Sequence, residues 1–413
     1  MTTIRRIARA PAEPLDELMA FLKAVNIQFG DVRRERAMER YVTGLLTDHP
    51  NKNCETLGEV LPGTNEQRLQ ALLTTMVWDE AAANARRVAV MRTLQTEGDG
   101  VLIIDATDFP KQGQHSVGVA RQYSGSLGKV ANCQVAVNCH YAERTIAWPV
   151  ASRLYLPESW ANDAGRRAAA HVPAEVVFKS KAEIALELIA EANRLGVRHR
   201  AVVADAEFGD SPPFLDRLEA LGETYAVDVR RDFRVCCRRA ASDEGQRAET
   251  LIANLPARAW RVVRWRQGSR GWLRGSFAAI RCWRMDGRGR RRIGWLAAER
   301  KLPDGSGQNK LYWCNLPAST PLERIVELLH RRAFIEQYHE EAKTLLGWDQ
   351  YQGRLWQGFH RHTFLVMLAY SFLVWTEWHA RQQVRLPGRP RGAFSPSQGS
   401  AAQVIGLDTS QDR

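Results

Sequence analysis

Two short apolar runs, about a hundred positions apart, each end in an aspartate: Val101-Leu102-Ile103-Ile104-Asp105 and Ala201-Val202-Val203-Ala204-Asp205. Unbroken aliphatic runs of this length read as buried strands. A fold for this chain must bury both runs and still leave a carboxylate at the end of each.

The elements around these runs narrow the choice. Gln134–Val137 and Ile146–Val150 are two more apolar runs, close enough to Val101–Ile104 to form a meander with it. Lys181–Leu195 has helical periodicity, Ala201–Ala204 is the fourth strand, a helix follows from Pro213 to Leu221, and Thr224–Val227 is a fifth strand. Three strands, helix, strand, helix, strand is the order of the RNase H fold. Its first and fourth strands are central neighbours, so Asp105 and Asp205 are expected to meet. The fold class is therefore α/β: an RNase H-like mixed sheet flanked by helices, with an N-terminal all-α domain and a β-rich insertion.

That helical region is read over residues 1–98, from apolar positions such as Leu15, Leu18, Leu22, Tyr41, Leu45, Leu69 and Leu72 recurring at helical spacing. Residues 99–230 form the first part of the core. Residues 231–310 are the insertion, where arginine and tryptophan interleave (Trp260, Arg264, Trp265, Trp272, Arg281, Trp283, Arg292, Trp295) among glycines and alternating apolar residues. Such a segment suits a groove that grips a phosphate backbone and stacks an unpaired base. It equally suits a twisted sheet with solvated arginines and core tryptophans. Residues 311–385 hold the C-terminal core helices. One is expected from Leu322 to Leu346, capped by Thr320 and ended by Gly347, and another from about Gly358 to Gln382. Residues 386–413, rich in Gly, Ser, Pro and Gln, read as a disordered tail.

Charge points to a polyanionic partner. The 413 residues hold 58 Lys and Arg against 46 Asp and Glu, a net charge of +12, and phosphate contacts need such cations. Seven scattered cysteines with no Cys-x-x-Cys pair indicate neither a zinc ribbon nor a disulfide framework, and fit reduced, cytoplasmic thiols. The N-terminus has no secretory signal pattern. The longest apolar stretch, Phe364–Trp375, is too short to cross a bilayer.

A third acid completes a chemical pattern. Glu336 lies on a helix with Arg332 four residues before it and Lys343 seven after, nearly on one face. Two strand-end aspartates and a helix glutamate are the hard oxygen ligands that magnesium takes. Two such ions about 3.5–4 Å apart lower both barriers to phosphodiester cleavage. Asp105 is expected to bridge both ions, with Asp205 and Glu336 completing one side each, and manganese is an expected substitute. Asp108, Glu207, Asp210, His339, Glu340 and Glu341 compete as ligands but read as solvated or supporting groups, with Asp210 a cap for the following helix. In the segment from Lys111 to Lys129, glycines permit close backbone approach, and Lys111, Arg121, Gln122 and Lys129 could reach phosphates near the metals.

With these residues in view, the chain resembles the DDE transposases of bacterial insertion sequences, the RNase H-like group with a β insertion before the final glutamate. The resemblance rests on Ile104–Lys111, Val117–Tyr123, Gly128–Gln134, Asp205–Asp210, Asn315-Leu316-Pro317 and Ile335-Glu336 with Lys343. It covers roughly residues 15 to 380. It implies that Asp105, Asp205 and Glu336 are catalytic and hold the metals, with Arg332 and Lys343 as phosphate contacts. It further implies cleavage at element ends, strand transfer into target DNA, recognition of terminal inverted repeats by the helical region, a homodimer in the DNA complex, and a bacterial, nucleoid-associated location. The chain departs from the family pattern at Ala106 and Asp108, where Asp and Gly are usual, at Leu329, where Tyr is frequent, and at Ala333, where Trp is common. Two other readings fit the same residues. One is a non-catalytic DNA-binding regulator or inactive copy. The other is an RNase H-like nuclease of repair or RNA processing.

Overall fold

Five helices precede the first strand: α1 (Asp16–Val25), α2 (Val32–Leu46), α3 (Cys54–Val60), α4 (Glu66–Leu73) and α5 (Glu80–Arg92). Four of them start where a short polar side chain accepts a free backbone N–H. Asp31 accepts from Arg33, Asn53 from Thr56, Asn65 from Arg68 and Asp79 from Ala82. Each cap of this kind stabilises by about 1 kcal/mol. The structure is a computed structural model and describes residues 11–96, 98–237, 245–268 and 271–383.

The sheet begins with β1 (Val101–Pro110), β2 (Ala120–Ser124), β3 (Lys129–Ala142) and β4 (Ala147–Leu154). Helices α6 (Glu158–Ala161), α7 (Ala164–Ala169) and α8 (Lys181–Arg194) lead to β5 (Ala201–Ala204). Then come α9 (Ala206–Gly209), α10 (Pro212–Ala220) and β6 (Tyr225–Val229). Strand β1 is antiparallel to β3 and parallel to β5, and β5 is parallel to β6. Both β2 and β4 pair with β3. The core order β4-β3-β1-β5-β6 is the expected RNase H-like arrangement.

A short pair, β7 (Arg234–Val235) and β8 (Gln246–Arg247), and helix α11 (Ala248–Ala253) open the arginine-rich segment. Strands β9 (Arg261–Gly268), β10 (Gly271–Met285), β11 (Arg291–Arg300) and β12 (Lys310–Cys314) follow. They continue the main sheet: β12 pairs antiparallel with β6, and β11, β10 and β9 add outward in turn. The result is a ten-stranded mixed sheet.

The C-terminal helices are α12 (Leu322–His330), α13 (Ala333–Thr344) and α14 (Trp356–Gln383). The single helix expected from Leu322 to Leu346 is therefore two. The break falls at Arg331, where one side chain serves several partners. Its guanidinium donates to Asp99 Oδ2 at 2.6 Å, to the Asp99 carbonyl at 2.7 Å and to Glu327 Oε1 at 2.7 Å. Thr320 does not cap α12, whose first helical residue follows Pro321. Gly347 does end the segment, in the left-handed conformation with φ 67°. The C-terminal tail lies outside the described residues.

Helix α14 is buried without interruption from Phe364 to Val374. It packs on β4 and against α2, α4 and α5, so the N-terminal helices and the sheet share one apolar core. Arg87 of α5 pins this junction. It donates to the Pro149 and Val150 carbonyls of β4 at 2.7 and 2.8 Å and to Ser371 Oγ of α14 at 2.7 Å. Lys52 makes a second tie. Its buried ammonium donates to the Leu45 carbonyl of α2 at 2.7 Å and to the Leu345 carbonyl at the end of α13. Among the described residues no helix is long and apolar enough to cross a membrane.

Candidate active site

Register sets the site. Strands β1 and β5 run parallel with Ile104 beside Ala204, and β5 and β6 run parallel with Ala204 beside Val227. The next residue in each case is an aspartate, so Asp105, Asp205 and Asp228 follow one another across three neighbouring strands; Asp205 and Asp228 stand at the ends of theirs, whereas β1 continues past Asp105 to Pro110, so the strand end expected there is not found. Carboxyl ends of parallel strands are where open α/β sheets place their ligand sites. Asp205 also accepts from the Glu207 N–H at 3.0 Å, which fixes its carboxylate at the start of α9. Asp105 Oδ1 accepts from Ala106 N–H at 2.9 Å.

Helix α13 runs against β1 and brings the glutamate. Arg332, the residue before its first turn, reaches into the acids. Its Nη1 donates to Asp105 Oδ2 at 3.2 Å, its Nη2 donates to Glu336 Oε1, and its Nε lies 3.7 Å from Asp228 Oδ2. Lys310 Nζ pairs with the same Asp228 oxygen at 3.2 Å. Glu336 is half-exposed, whereas Asp105 and Asp228 are buried. About 10 Å further along each element, Lys343 Nζ donates to the Asp108 carbonyl at 2.8 Å.

Four carboxylates around one guanidinium leave negative charge uncompensated. Burial, the charge of Asp205 and that of Glu336 push the Asp105 carboxyl well above the usual range, against the pull of Arg332. Burial also raises Asp205, with Glu207 and Asp228 adding to it and Arg332 opposing. Arg332 is driven the other way. Burial opposes its charge, but Asp105, Asp228, Glu336 and Asp205 together hold its proton more tightly than usual.

Counted formally, the four carboxylates outnumber the two cations that meet them, Arg332 and Lys310. The donors are hard carboxylate oxygens, which suit magnesium or manganese rather than softer metals. Among the described residues no three His, Cys, Asp or Glu side chains converge on one point as a ready ligand cluster. The Arg332 guanidinium stands among them instead. The donor set fits a divalent ion once that side chain turns aside.

The other sequence candidates separate clearly. The Asp108 carboxylate accepts from Ser124 Oγ, from the Ser126 N–H at 3.1 Å and from Ser126 Oγ at 2.7 Å. Burial opposes its charge, yet these bonds and Lys343 hold its carboxyl below the usual range. It anchors a turn. Glu207 pairs with Lys181 at 2.5 Å. Asp210 does not cap α10; it accepts from the Arg230 N–H and pairs with the Arg230 guanidinium at 3.0 Å, tying α9 to the end of β6. His339 is buried, and burial with the nearby Lys343 keeps it neutral. Glu341 accepts from the Tyr370 hydroxyl at 2.9 Å. Lys111 donates to the Tyr351 carbonyl at 2.5 Å and Gln122 to the Cys133 carbonyl at 2.9 Å, while Arg121 and Lys129 are exposed. Asp228 and Lys310 escaped the sequence reading. The signal was present, because Tyr225-Ala226-Val227-Asp228 repeats the apolar run ending in aspartate.

The insertion lies beside these acids. An open cleft of about 1200 Å³ runs from Ala206 and Asp228 past Arg230, Arg247, Trp260, Arg300 and Lys310. Several tryptophans there are covered by arginines: Arg300 lies 4.1 Å from the Trp260 ring centre, Arg291 5.0 Å from Trp283 and Arg281 5.1 Å from Trp295.

Comparison with known proteins shows the family. The model of the DDE superfamily endonucleases matches residues 26–272, and that of the transposase DDE domain matches residues 178–372. The chain belongs to the DDE superfamily endonucleases. The first match spans Asp105, Asp205 and Asp228, and the second spans Asp205, Asp228 and Glu336. A probable transposase for the insertion sequence element IS701 of Microchaete diplosiphon is 28% identical over 230 residues, which is 54% of this chain and 57% of that protein. The chain thus matches somewhat more than half the length of that relative. DDE transposases generally use divalent metal ions.

Proposed function

We propose that this protein is the transposase of an insertion sequence, cutting DNA at the element ends and joining the freed 3′-hydroxyl to target DNA. The observation that carries the reading is the row Asp105, Asp205 and Asp228 across three neighbouring strands, joined to Glu336 through the Arg332 guanidinium among them.

Asp105, Asp205 and Glu336 would hold two magnesium ions, with manganese able to substitute. Bound there, the metals would supply activation of the attacking oxygen and stabilisation of the departing one. The chain's own residues do the rest. Arg332 balances the acids before loading and, once displaced, lies four residues from Glu336 with a bidentate fork free for a phosphate. Lys343 stands a few residues along β1, over the Phe109 ring at 5.2 Å, where the backbone flanking the cut would pass. Exposed Arg121 and Lys129 extend this basic track, with Gln122 beside them and Lys111 at its base. The cleft from Asp228 to Trp260 offers the cations of Arg230, Arg247, Arg300 and Lys310 for the strand leaving the site.

Residues 1–98 would recognise the terminal inverted repeats, residues 99–230 and 311–385 would form the catalytic core, and residues 231–310 would contribute the cleft. Two ends must be paired for transposition, which supports a homodimer in the DNA complex, acting at the bacterial nucleoid. The test is a plasmid assay with the terminal inverted repeats. Magnesium-dependent 3′-hydroxyl ends followed by joined products support the reading. Binding of the repeats without a nick in magnesium or manganese would make the protein a DNA-binding regulator, and cleavage without joined products would make it a nuclease.

A further inference from the structure

Two cysteines of the arginine-rich segment stand opposite each other. The Cys236 N–H donates to the Trp283 carbonyl of β10 at 2.8 Å, and the Trp283 N–H donates to the Cys236 carbonyl at 3.0 Å. Exchanging both bonds makes these two residues a hydrogen-bonded antiparallel pair. The next pair along is Cys237 with Cys282. In an antiparallel ladder that pair is a non-hydrogen-bonded one, with Cα atoms about 4.5 Å apart and side chains on one face. Disulfides take Cα separations of about 4.4–6.8 Å, so the position accepts one without a backbone shift.

The side chains agree with the register. The Cys282 thiol donates to the Cys237 sulfur. Both are free thiols; Cys237 is exposed and Cys282 is buried. Cys236, the neighbour of Cys237, points to the other face, as successive residues of an extended chain do. The other strand cysteines have no such counterpart. Cys133, Cys139 and Cys314 each face a residue other than cysteine on both adjoining strands.

A bond between these sulfurs closes the chain from residue 237 to residue 282. That loop carries α11 and β9, and with them Arg247, Ile252 and Trp260 of the cleft wall. Its start is held to the sheet by little. Strands β7 and β8 pair over two residues, and Cys236 meets β10 through a single bridge. A covalent tie there reinforces a join that few backbone bonds make.

The geometry points to Cys237 and Cys282 as a redox modification site, two thiols that a low-molecular-weight disulfide oxidises to one cross-strand disulfide. The site is independent of the acid row and of the reaction carried out there. Exposed Cys237 reacts first. Its thiolate attacks one sulfur of the small disulfide, breaks that S–S bond and expels one thiolate, which takes up a proton. The Cys282 sulfur then attacks the Cys237 sulfur of the mixed disulfide, forms the protein S–S bond and expels the second small thiolate. Two protein thiols are oxidised, one small disulfide is reduced, and the two protein protons end on the two small thiols. Burial holds both protein thiols to their protons more tightly than usual, so the exchange takes hours rather than seconds.

The experiment incubates the folded full chain, reduced beforehand, with glutathione disulfide. Remaining thiols are then blocked with N-ethylmaleimide in denaturant, and tryptic peptides are mapped without reduction. The wild type is expected to yield the peptide of Cys237 joined to the peptide of Cys282, and dithiothreitol should part them. Trypsin releases Cys236 and Cys237 together, so variants assign the sulfur. Cys236→Ser should keep the link, whereas Cys237→Ser and Cys282→Ser should lose it. The oxidised wild type should melt several degrees above its reduced form, a shift that Cys282→Ser lacks. Blocked thiols at both Cys237 and Cys282, a lasting glutathione adduct on Cys237, or a bond between Cys236 and Cys237 would each overturn the proposal. A link that forms only when the chain is oxidised in denaturant would overturn it as well.

Discussion

Asp205 and Asp228 end neighbouring parallel strands one step beyond the Ala204–Val227 pair, so a fourth carboxylate belongs to the row that Asp105 begins. Its Oδ2 is shared by Lys310 at 3.2 Å and by Arg332 at 3.7 Å. Asp228 therefore positions the cations around the proposed metal ligands. Asp228→Asn is expected to weaken magnesium dependence and slow cleavage by about 10- to 100-fold, the scale of outer-sphere substitutions at metal sites. A magnesium titration of the cleavage rate checks this.

Arg332 is the cation that the four acids share in the absence of metal. Arg332→Ala should destabilise the metal-free protein by about 3 kcal/mol, because it strands buried charge. The deficit should shrink on adding magnesium, which takes over the compensation. Thermal unfolding in EDTA and in magnesium measures both values. Equal deficits in the two conditions would show that Arg332 acts apart from the metal position.

The raised carboxyls give a pH dependence of definite sign. Asp105 and Asp205 bind protons more tightly folded than unfolded. Their contribution to metal-free stability is thus present at low pH and is lost as pH rises from near 4 through their raised folded values. Magnesium competes with those protons, so the stabilisation it gives should grow with pH over the same interval. Unfolding curves at several pH values, with and without magnesium, test this, and Asp105→Asn should flatten the metal-free trend.

His199 offers a contrast away from the site. Burial opposes its charge, but Glu223, 3.0 Å from Nε2, raises its proton affinity above the usual value. The pair stabilises fully below the unfolded histidine value and fades as pH rises through the higher folded one. His199→Gln should lower stability below neutral pH and have a smaller effect above it, as read by denaturant unfolding.

Lys52 links the N-terminal helices to the far end of α13. Lys52→Met leaves the Leu45 and Leu345 carbonyls without their donor. A loss of about 2 kcal/mol is expected, in the range for hydrogen bonds to a charged group. Faster amide exchange at the C-terminal end of α13 should accompany it.

Much of the fold was legible because buried strands announce themselves. The runs ending at Asp105 and Asp205 marked two central strands, and their order predicted the parallel register that brings the acids together. The third run, Tyr225-Ala226-Val227, ends at Asp228 in the same way, and that aspartate was not singled out. The break between α12 and α13 left no local trace. Apolar periodicity continues through Leu328, Leu329 and Phe334, and the interruption falls where Arg331 meets Asp99, 232 positions away. Asp210 misled for a similar reason: a Ser-Pro helix start beside it suggested a cap, whereas its partner Arg230 arrives from β6. Arg332 was legible as a neighbour of Glu336 on one helix face, but its reach to Asp105 depends on α13 lying along β1.

The most direct test of the central claim compares the wild type with Asp105→Asn, Asp205→Asn and Glu336→Gln on one inverted-repeat duplex in magnesium. Each variant is expected to bind the duplex as the wild type does and to leave it uncut. A variant that binds and cuts at the wild-type rate would remove its residue from the metal site and contradict the assignment.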